Sequence, residues 1–365
     1  MTSGTRPVAR VAPPTGDTSE RRRVPTAVLL GLLVIALAAA TCLGVAFGTV
    51  NVPLPATVSV LAAHLLPGEA WGGFTAVQDQ FVWEFRLPRV LLAAAVGAGL
   101  ALVGTLMQAV VRNPLADPYV LGVSSGAGLG AVFVFVFIPA AAGGLPRYAA
   151  AFGGALLALA AVLALSRDDG RFTPQRVVLA GVTLSYLFTA VTTFLIFRSD
   201  DPRAANSILF FLLGTLQDAQ WANVGVPAAI VVVGLVVGLY YARPLNAMVV
   251  GDETATALGY NTNRARAALM VVSALVTGVL VAVAGGVGFV GLVVPHAVRF
   301  LVGSNHRRVL PVAALASAVY LVLVDLVCRL VLRPEELPLG VVTALLGAPY
   351  FLVLLRRNRR ARALR

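Results

Sequence analysis

Apolar residues in this chain come in runs of about twenty, separated by short polar stretches rich in Arg, Pro and Gly. A helix that crosses the hydrocarbon layer needs about 20 such residues, so each run predicts one membrane span. The first lies over about Thr26 to Phe47, with others at roughly 88–111, 116–138, 148–166, 176–197, 222–242, 265–284, 286–303, 310–331 and 338–355. The pattern therefore predicts an all-α bundle of about ten transmembrane helices. A shorter apolar run, roughly 204–214, predicts a helix that lies along the surface or plugs the bundle. The 286–303 run is the most broken: Gly285-Gly286-Val287-Gly288 precedes it and Val294-Pro295-His296 interrupts it, so its boundaries over 284–305 stay open.

The stretch from Arg86 to Gly126 is punctuated differently from the rest. Arg86-Leu87-Pro88-Arg89 opens a long apolar run containing Gly97, Gly99 and Gly104. The run stops at Arg112-Asn113-Pro114, where proline ends the helix. After the Ala116-Asp117-Pro118 turn a second run carries Gly122, Ser124, Ser125, Gly126, Gly128 and Gly130. Small residues let membrane helices approach closely. A tightly packed bundle, a pore wall and an ordinary helical hairpin all fit this pattern.

Composition agrees with a membrane protein. The 365 residues are 59% hydrophobic and 12% charged, with a mean hydropathy of +0.88, against about half and a quarter for a soluble domain. Residues 1–24 are polar and end in Arg21-Arg22-Arg23, which predicts a disordered tail with a charge anchor. A signal peptide is the competing reading. The following run is too long for one and lacks a small-residue cleavage site. The span-bearing domain is expected over 25–357 and a basic tail over 358–365.

All basic residues are arginine, and their distribution sets orientation. With the N-terminus in the cytoplasm, about 21 of the 28 fall inside and about seven outside, a positive-inside bias that also puts the C-terminus inside. The net charge of +12 thus reads as topology and attraction to anionic lipid, with nucleic acid no partner. Lysine is absent, and a Walker A loop needs its Gly-Lys-Ser/Thr, so the chain carries no such ATP site of its own. Cys42 and Cys328 lie in separate apolar runs without metal spacing.

The loop over 245–263 differs from the other connections. Within it, Gly251-Asp252-Glu253-Thr254-Ala255-Thr256-Ala257-Leu258-Gly259 predicts a short amphipathic helix. Asp252 and Glu253 suit its N-terminus and Gly259 its stop. Ala255 and Leu258 give it an apolar face, as in a docking element for a cytosolic partner, although a capped surface turn also fits. Asp325 is an acid inside an apolar span, four residues before Arg329, the spacing of an internal ion pair. His64, His296 and His306 do not cluster at metal-ligand spacing. Asp168-Asp169 and Asp200-Asp201 fall on opposite sides of the membrane and read as solvated turns.

Several motifs in order resemble the FecCD family, the permeases of large-type ATP-binding-cassette (ABC) importers for iron–siderophore complexes, haem and vitamin B12. They are Arg86-Leu87-Pro88-Arg89, Asn113-Pro114-Leu115-Ala116-Asp117-Pro118, Leu121-Gly122-Val123-Ser124, the Gly251–Gly259 segment, Gly288-Phe289-Val290-Gly291-Leu292-Val293-Val294-Pro295-His296, and Glu336-Leu337-Pro338-Leu339-Gly340-Val341-Val342-Thr343. The resemblance covers about residues 47–357. It implies ten helices per subunit, in the type II importer architecture, and two permeases around one path. It implies that Gly251, Asp252, Glu253, Ala255, Leu258 and Gly259 form the coupling segment that meets an ATPase. Arg86, Arg89 and Arg329 match arginines that engage glutamates of a substrate-binding protein, with lipid-headgroup anchoring as the alternative. Asn113 and Leu115 match the inner gate. Where the vitamin B12 branch has Ser-Thr-Ser, this chain has Thr173-Pro174-Gln175, which leaves that half of the gate open.

Three classes are weighed: an ATPase-driven permease, a proton-coupled secondary transporter using Asp325, and a membrane enzyme using the Asp pairs. The first is expected, in a bacterial plasma membrane and without covalent chemistry. Its partners would be two ABC ATPases, a second permease (the same chain or a paralogue) and an extracytoplasmic substrate-binding protein. It needs no cofactor of its own, because ATP and magnesium would sit in the ATPase. The path is expected to be weakly lined, by residues that include Gln108, Ser124 and Ser125. The cargo is expected to be an iron(III)–siderophore, with haem and cobalamin as alternatives.

Overall fold

Hydrocarbon offers backbone N–H and C=O groups no partner, so a chain this apolar satisfies them internally by forming helices. The computed structural model describes residues 25–363 apart from 49, 51, 67–71, 118, 120–121, 139–143, 169–170 and 200–201. The expected tail over 1–24 lies outside these residues, as do Asp169, Asp200, Asp201, Pro118 and Leu121.

The helices run in the order α1 (Thr26–Ala46), α2 (Leu54–Leu65), α3 (Ala76–Asp79), a π-helical segment (Gln80–Arg86), α4 (Leu87–Val110), α5 (Val123–Phe137) and α6 (Leu145–Leu165). A small antiparallel hairpin, β1 (Arg167–Asp168) and β2 (Arg171–Phe172), leads into α7 (Pro174–Arg198) and α8 (Pro202–Leu213). Then come α9 (Gly225–Tyr240), α10 (Ala242–Val250), α11 (Asp252–Ala257), α12 (Thr262–Ala284), α13 (Val290–Val302), α14 (His306–Leu330) and α15 (Leu339–Ala363). Each of the ten expected spans contains one of these helices. Proline in the first turn of α2, α4, α6 and α7 presets the helical φ where its missing N–H costs nothing.

Among the described residues, seven helices are long and apolar enough to cross a membrane unaided. Three of the expected spans are shorter: α5, α13 and the apolar part of α15. The 13 residues of α13 cover about 20 Å, less than the roughly 30 Å of a hydrocarbon layer. Irregular backbone makes up part of the difference, and it is tied to the bundle. Tyr119, in the loop before α5, accepts from Val287 N and donates to Val287 O, both at 2.8 Å. Thr215 N donates to Ala284 O at 2.9 Å and Leu339 N to Gly214 O at 2.9 Å. These bonds join the ends of α8 and α12 to the start of α15. Gly285 makes the turn possible: its φ is +66°, and a Cβ there would stand 1.8 Å from Phe211 O.

The continuous helix Ala76–Val110 is the hub, with 78% of its most apolar window buried, against 17% for α1. It packs against α9, α12, α13 and α14. Its glycines permit this: a Cβ on Gly97 would meet Ser317 O at 2.3 Å, and one on Gly104 would meet Gly291 O at 1.9 Å. Gly126 and Gly154 do the same between α5 and α6. The small-residue runs therefore serve close helix packing.

Candidate functional site

At the arginine-poor end, Arg86, Arg89 and Arg329, expected to meet a binding protein, are turned inward, Arg329 beside Asp325 as its spacing suggested. Arg86 is 6% exposed, and its guanidinium donates to the carbonyls of Val45 and Ala46, both at 2.9 Å, and to Val50 O. It thus satisfies orphan carbonyls at the C-terminus of α1, where a cation also suits the helix dipole. Arg89 is shared between two acids: Nε donates to Asp325 Oδ1 at 2.9 Å, and Nη1 and Nη2 form a fork on Glu336 at 3.0 and 2.8 Å. Arg329 Nε lies 3.0 Å from Asp325 Oδ2 but directs its hydrogen at the Asp325 carbonyl (3.4 Å), while Nη1 donates to Phe47 O. The physical reason is cost: buried charges must be paired. The Asp325 and Glu336 carboxylates and the backbone carbonyls at and just after the end of α1 supply the pairing. Asp325, 0% exposed, belongs to this network and is not a lone acid.

At the arginine-rich end the chain turns sharply after α4. Asn113 N donates to Gln108 O at 3.1 Å, and the Asn113 side chain accepts from Leu115 N at 2.9 Å. Asn113 and Leu115 are both exposed, Leu115 by 45%. Across from them α7 begins. Thr173 is its half-buried N-cap residue and makes no side-chain cap bond. Val111, Arg112 and Asn113 face Gln175, Val178, Leu179 and Val182 across an open cleft of about 680 Å³. The structure therefore brings Asn113 and Gln175 to the two sides of one cleft, whose lining includes neither Leu115 nor Thr173.

Gln108, expected in the path lining, borders an open cavity of about 410 Å³ with Arg112, His296 and Arg299. It is 4% exposed, donates to the Gly291 and Leu292 carbonyls at 3.4 and 3.3 Å, and accepts from Arg299. It ties α4 to α13. Ser124 and Ser125 are half-buried at the start of α5, and Ser125 Oγ donates back to Gly122 O at 2.9 Å. A second open groove of about 600 Å³, almost wholly apolar, runs between α8, α13 and α15, lined by Leu213, Gly286, Phe289, Val341, Leu345 and neighbours.

The 251–259 segment forms α11, one residue shorter at its start and two at its end than the motif. Gly259, with φ +84° and nothing where a Cβ would go, ends the turn that follows it. The two residues expected to share an apolar face, Ala255 and Leu258, point opposite ways. Ala255 is 0% exposed and packs with Met248, Ala265, Tyr241 and Tyr260, whereas Leu258 is 63% exposed. Ala255 is covered by α10 and α12, whereas Leu258 is the C-cap residue just past the end of α11. Glu253 is exposed, and Asp252 is held at 2.8 Å by Arg266 and 3.2 Å by Arg112. These two arginine partners carry no signal in the local sequence. Among the described residues, no three His, Cys, Asp or Glu side chains converge as a metal site would require.

The comparisons with known proteins cover nearly the whole helical chain. The model of the FecCD transport family matches residues 23–357. The cobalamin import system permease protein BtuC of Halobacterium salinarum is 41% identical, over 86% of this chain and 82% of its own length. The hemin transport system permease protein HmuU of Yersinia pestis is also 41% identical, over 80% and 88%. A solved structure, an inward-facing conformation of a putative metal-chelate type ABC transporter, superposes with a TM-score of 0.78 at 30% identity, covering 91% of this chain and 99% of the other.

Proposed function

The chain belongs to the FecCD transport family, and on that premise we propose that it is the permease subunit of an ABC importer that carries a metal chelate across the plasma membrane. The observation that carries this reading is α11. It is a short helix at the arginine-rich end, braced behind by Ala255 and Asp252, that presents Leu258 and Glu253 outward. An exposed apolar side chain on a rigidly backed helix is a docking element. The chain has no lysine and hence no Walker A loop, so the work would come from two partner ATPases that bind ATP and magnesium. A second permease, identical or paralogous, would complete the path, and a substrate-binding protein would deliver cargo at the arginine-poor end. The three inward-turned arginines would be reached there only by exchange of their internal partners.

Transport needs no bond-making in this chain. ATP-driven movement of α11 would bias the bundle between outward- and inward-open packings. The chelate would pass along apolar and weakly polar walls such as the α8–α13–α15 groove, and weak lining lets cargo leave. The relatives handle cobalamin and hemin, which supports a large metal chelate, a class that also includes ferric siderophores. The proton-coupled alternative gains no support from Asp325, because both of its oxygens lie at ion-pair distance from arginines.

The test is the double variant Glu253→Arg with Leu258→Asp. The ATPase is expected to stop co-purifying with the permease, and uptake to fall to background in cells offered labelled ferric siderophore, hemin and cobalamin in turn. Intact assembly and uptake would overturn the proposal. Vesicles holding this chain alone are expected to accumulate none of the three uphill.

A further inference from the structure

Arg112 occupies a position where a side chain is unwelcome. α4 closes with Arg112 N donating to Ala109 O at 3.3 Å and Asn113 N to Gln108 O at 3.1 Å. This turn needs a left-handed residue, and Arg112 supplies it with φ +54°. Glycine is the ordinary occupant there, because a Cβ is strained in that conformation. An arginine retained at such a point calls for a use of its side chain.

The side chain reaches α11. Arg112 Nη2 lies 3.2 Å from Asp252 Oδ2, on the first residue of that helix. The other oxygen of the same carboxylate is 2.8 Å from Arg266 Nη2. Arg266, 4% exposed on α12, also donates from Nε to the carbonyl of Val110, the last residue of α4, at 3.4 Å. One carboxylate of α11 therefore grips the end of α4 twice, directly and through Arg266. The next residue, Asn113, lines the cleft opposite Gln175 and Leu179. The Arg112 and Asp252 side chains are each 36% exposed, and a pair in that setting adds little to stability. What it supplies is a connection between two segments 140 residues apart.

We propose that Asp252, Arg112 and Arg266 form the tether that passes displacement of α11 to the Arg112–Asn113–Pro114 turn and so to the cleft. They are positioning residues. The proposal rests on the reading of α11 as the ATPase-docking helix, and it names the link by which that helix acts on the gate.

The experiment uses the assembled permease–ATPase complex in lipid nanodiscs and needs no cargo. With Cys42→Ser removing the exposed native thiol and Cys328 buried, Leu179→Cys, on the α7 wall of the cleft, reports it through its maleimide-labelling rate. ATP with vanadate is expected to change that rate about tenfold, within the range of coupling between linked sites. Arg112→Gly keeps the turn but removes the direct arm of the tether, leaving only the route through Arg266, so most of the response should be lost while the ATPase still co-purifies. Asp252→Asn should act likewise, and Arg112→Lys should keep most of the response. A full response in Arg112→Gly and Asp252→Asn would overturn the tether, as would a parent thiol indifferent to nucleotide. Failure of the underlying reading looks different: Leu258→Asp would leave the ATPase bound.

Discussion

Replacing Asp325 with Asn is expected to cost at least about 3 kcal/mol of stability, the scale for stripping one partner from a buried ion pair. The carboxylate is 0% exposed and lies 2.8 Å from Arg89 and 3.0 Å from Arg329. Glu336 already takes the fork of Arg89, so it cannot also neutralise Arg329. Without Asp325, three guanidiniums, including Arg86, would face one carboxylate and the carbonyls that end α1. The side-chain shape is nearly unchanged in Asn, so a loss on this scale would be electrostatic. A double change separates the terms. Asp325→Leu with Arg329→Met removes both charges and leaves Arg89 with Glu336 as a balanced pair, so much of the loss should return. Thermal unfolding of the purified permease in detergent reads both variants. A loss under about 1 kcal/mol in Asp325→Asn would mean that water or lipid, and not Asp325, compensates Arg329.

The same network shows where sequence reading stops. Asp325 and Arg329 are four residues apart, so helical geometry alone suggests their pairing. Arg89 and Asp325 are separated by 236 residues and Arg89 and Glu336 by 247, and only the packing of α14 on α4 brings them together. The sequence alone therefore leaves Arg86 and Arg89 without a visible internal partner at the outer face. The spans were legible because about twenty apolar residues leave little choice but a helix in lipid. The helices α2 and α10 were not. α2 is 12 residues long, begins Leu54-Pro55 and ends near His64, and α10 continues almost directly from α9 with a break only at Tyr241. In α11 the residues are legible but their facing is not. Whether Ala255 or Leu258 points inward depends on Met248, Ala265 and the tyrosines behind, which are contacts between elements.

Gly104→Val is expected to leave no stably folded permease, with a loss at or above about 3 kcal/mol, the upper end for overpacking a core. The smaller Ala change already brings a Cβ to 1.9 Å from Gly291 O and 2.6 Å from Gly291 Cα. Those atoms are backbone of α13, so no rotamer change can clear the space. α4 and α13 would have to separate, which would also pull Gln108 from the Gly291 and Leu292 carbonyls. Gly153 provides the contrast. It sits within α6, and a Cβ added there would find no atom within 4 Å, while Gly is about 1 kcal/mol worse than Ala in a helix interior. Gly153→Ala is therefore expected to hold or raise the unfolding temperature, whereas Gly104→Ala lowers it and Gly104→Val abolishes the monodisperse peak on size exclusion. Equal tolerance at both positions would mean that the α4–α13 contact is looser than these atoms place it, and the small residues of the hub would then owe their presence to something other than close packing.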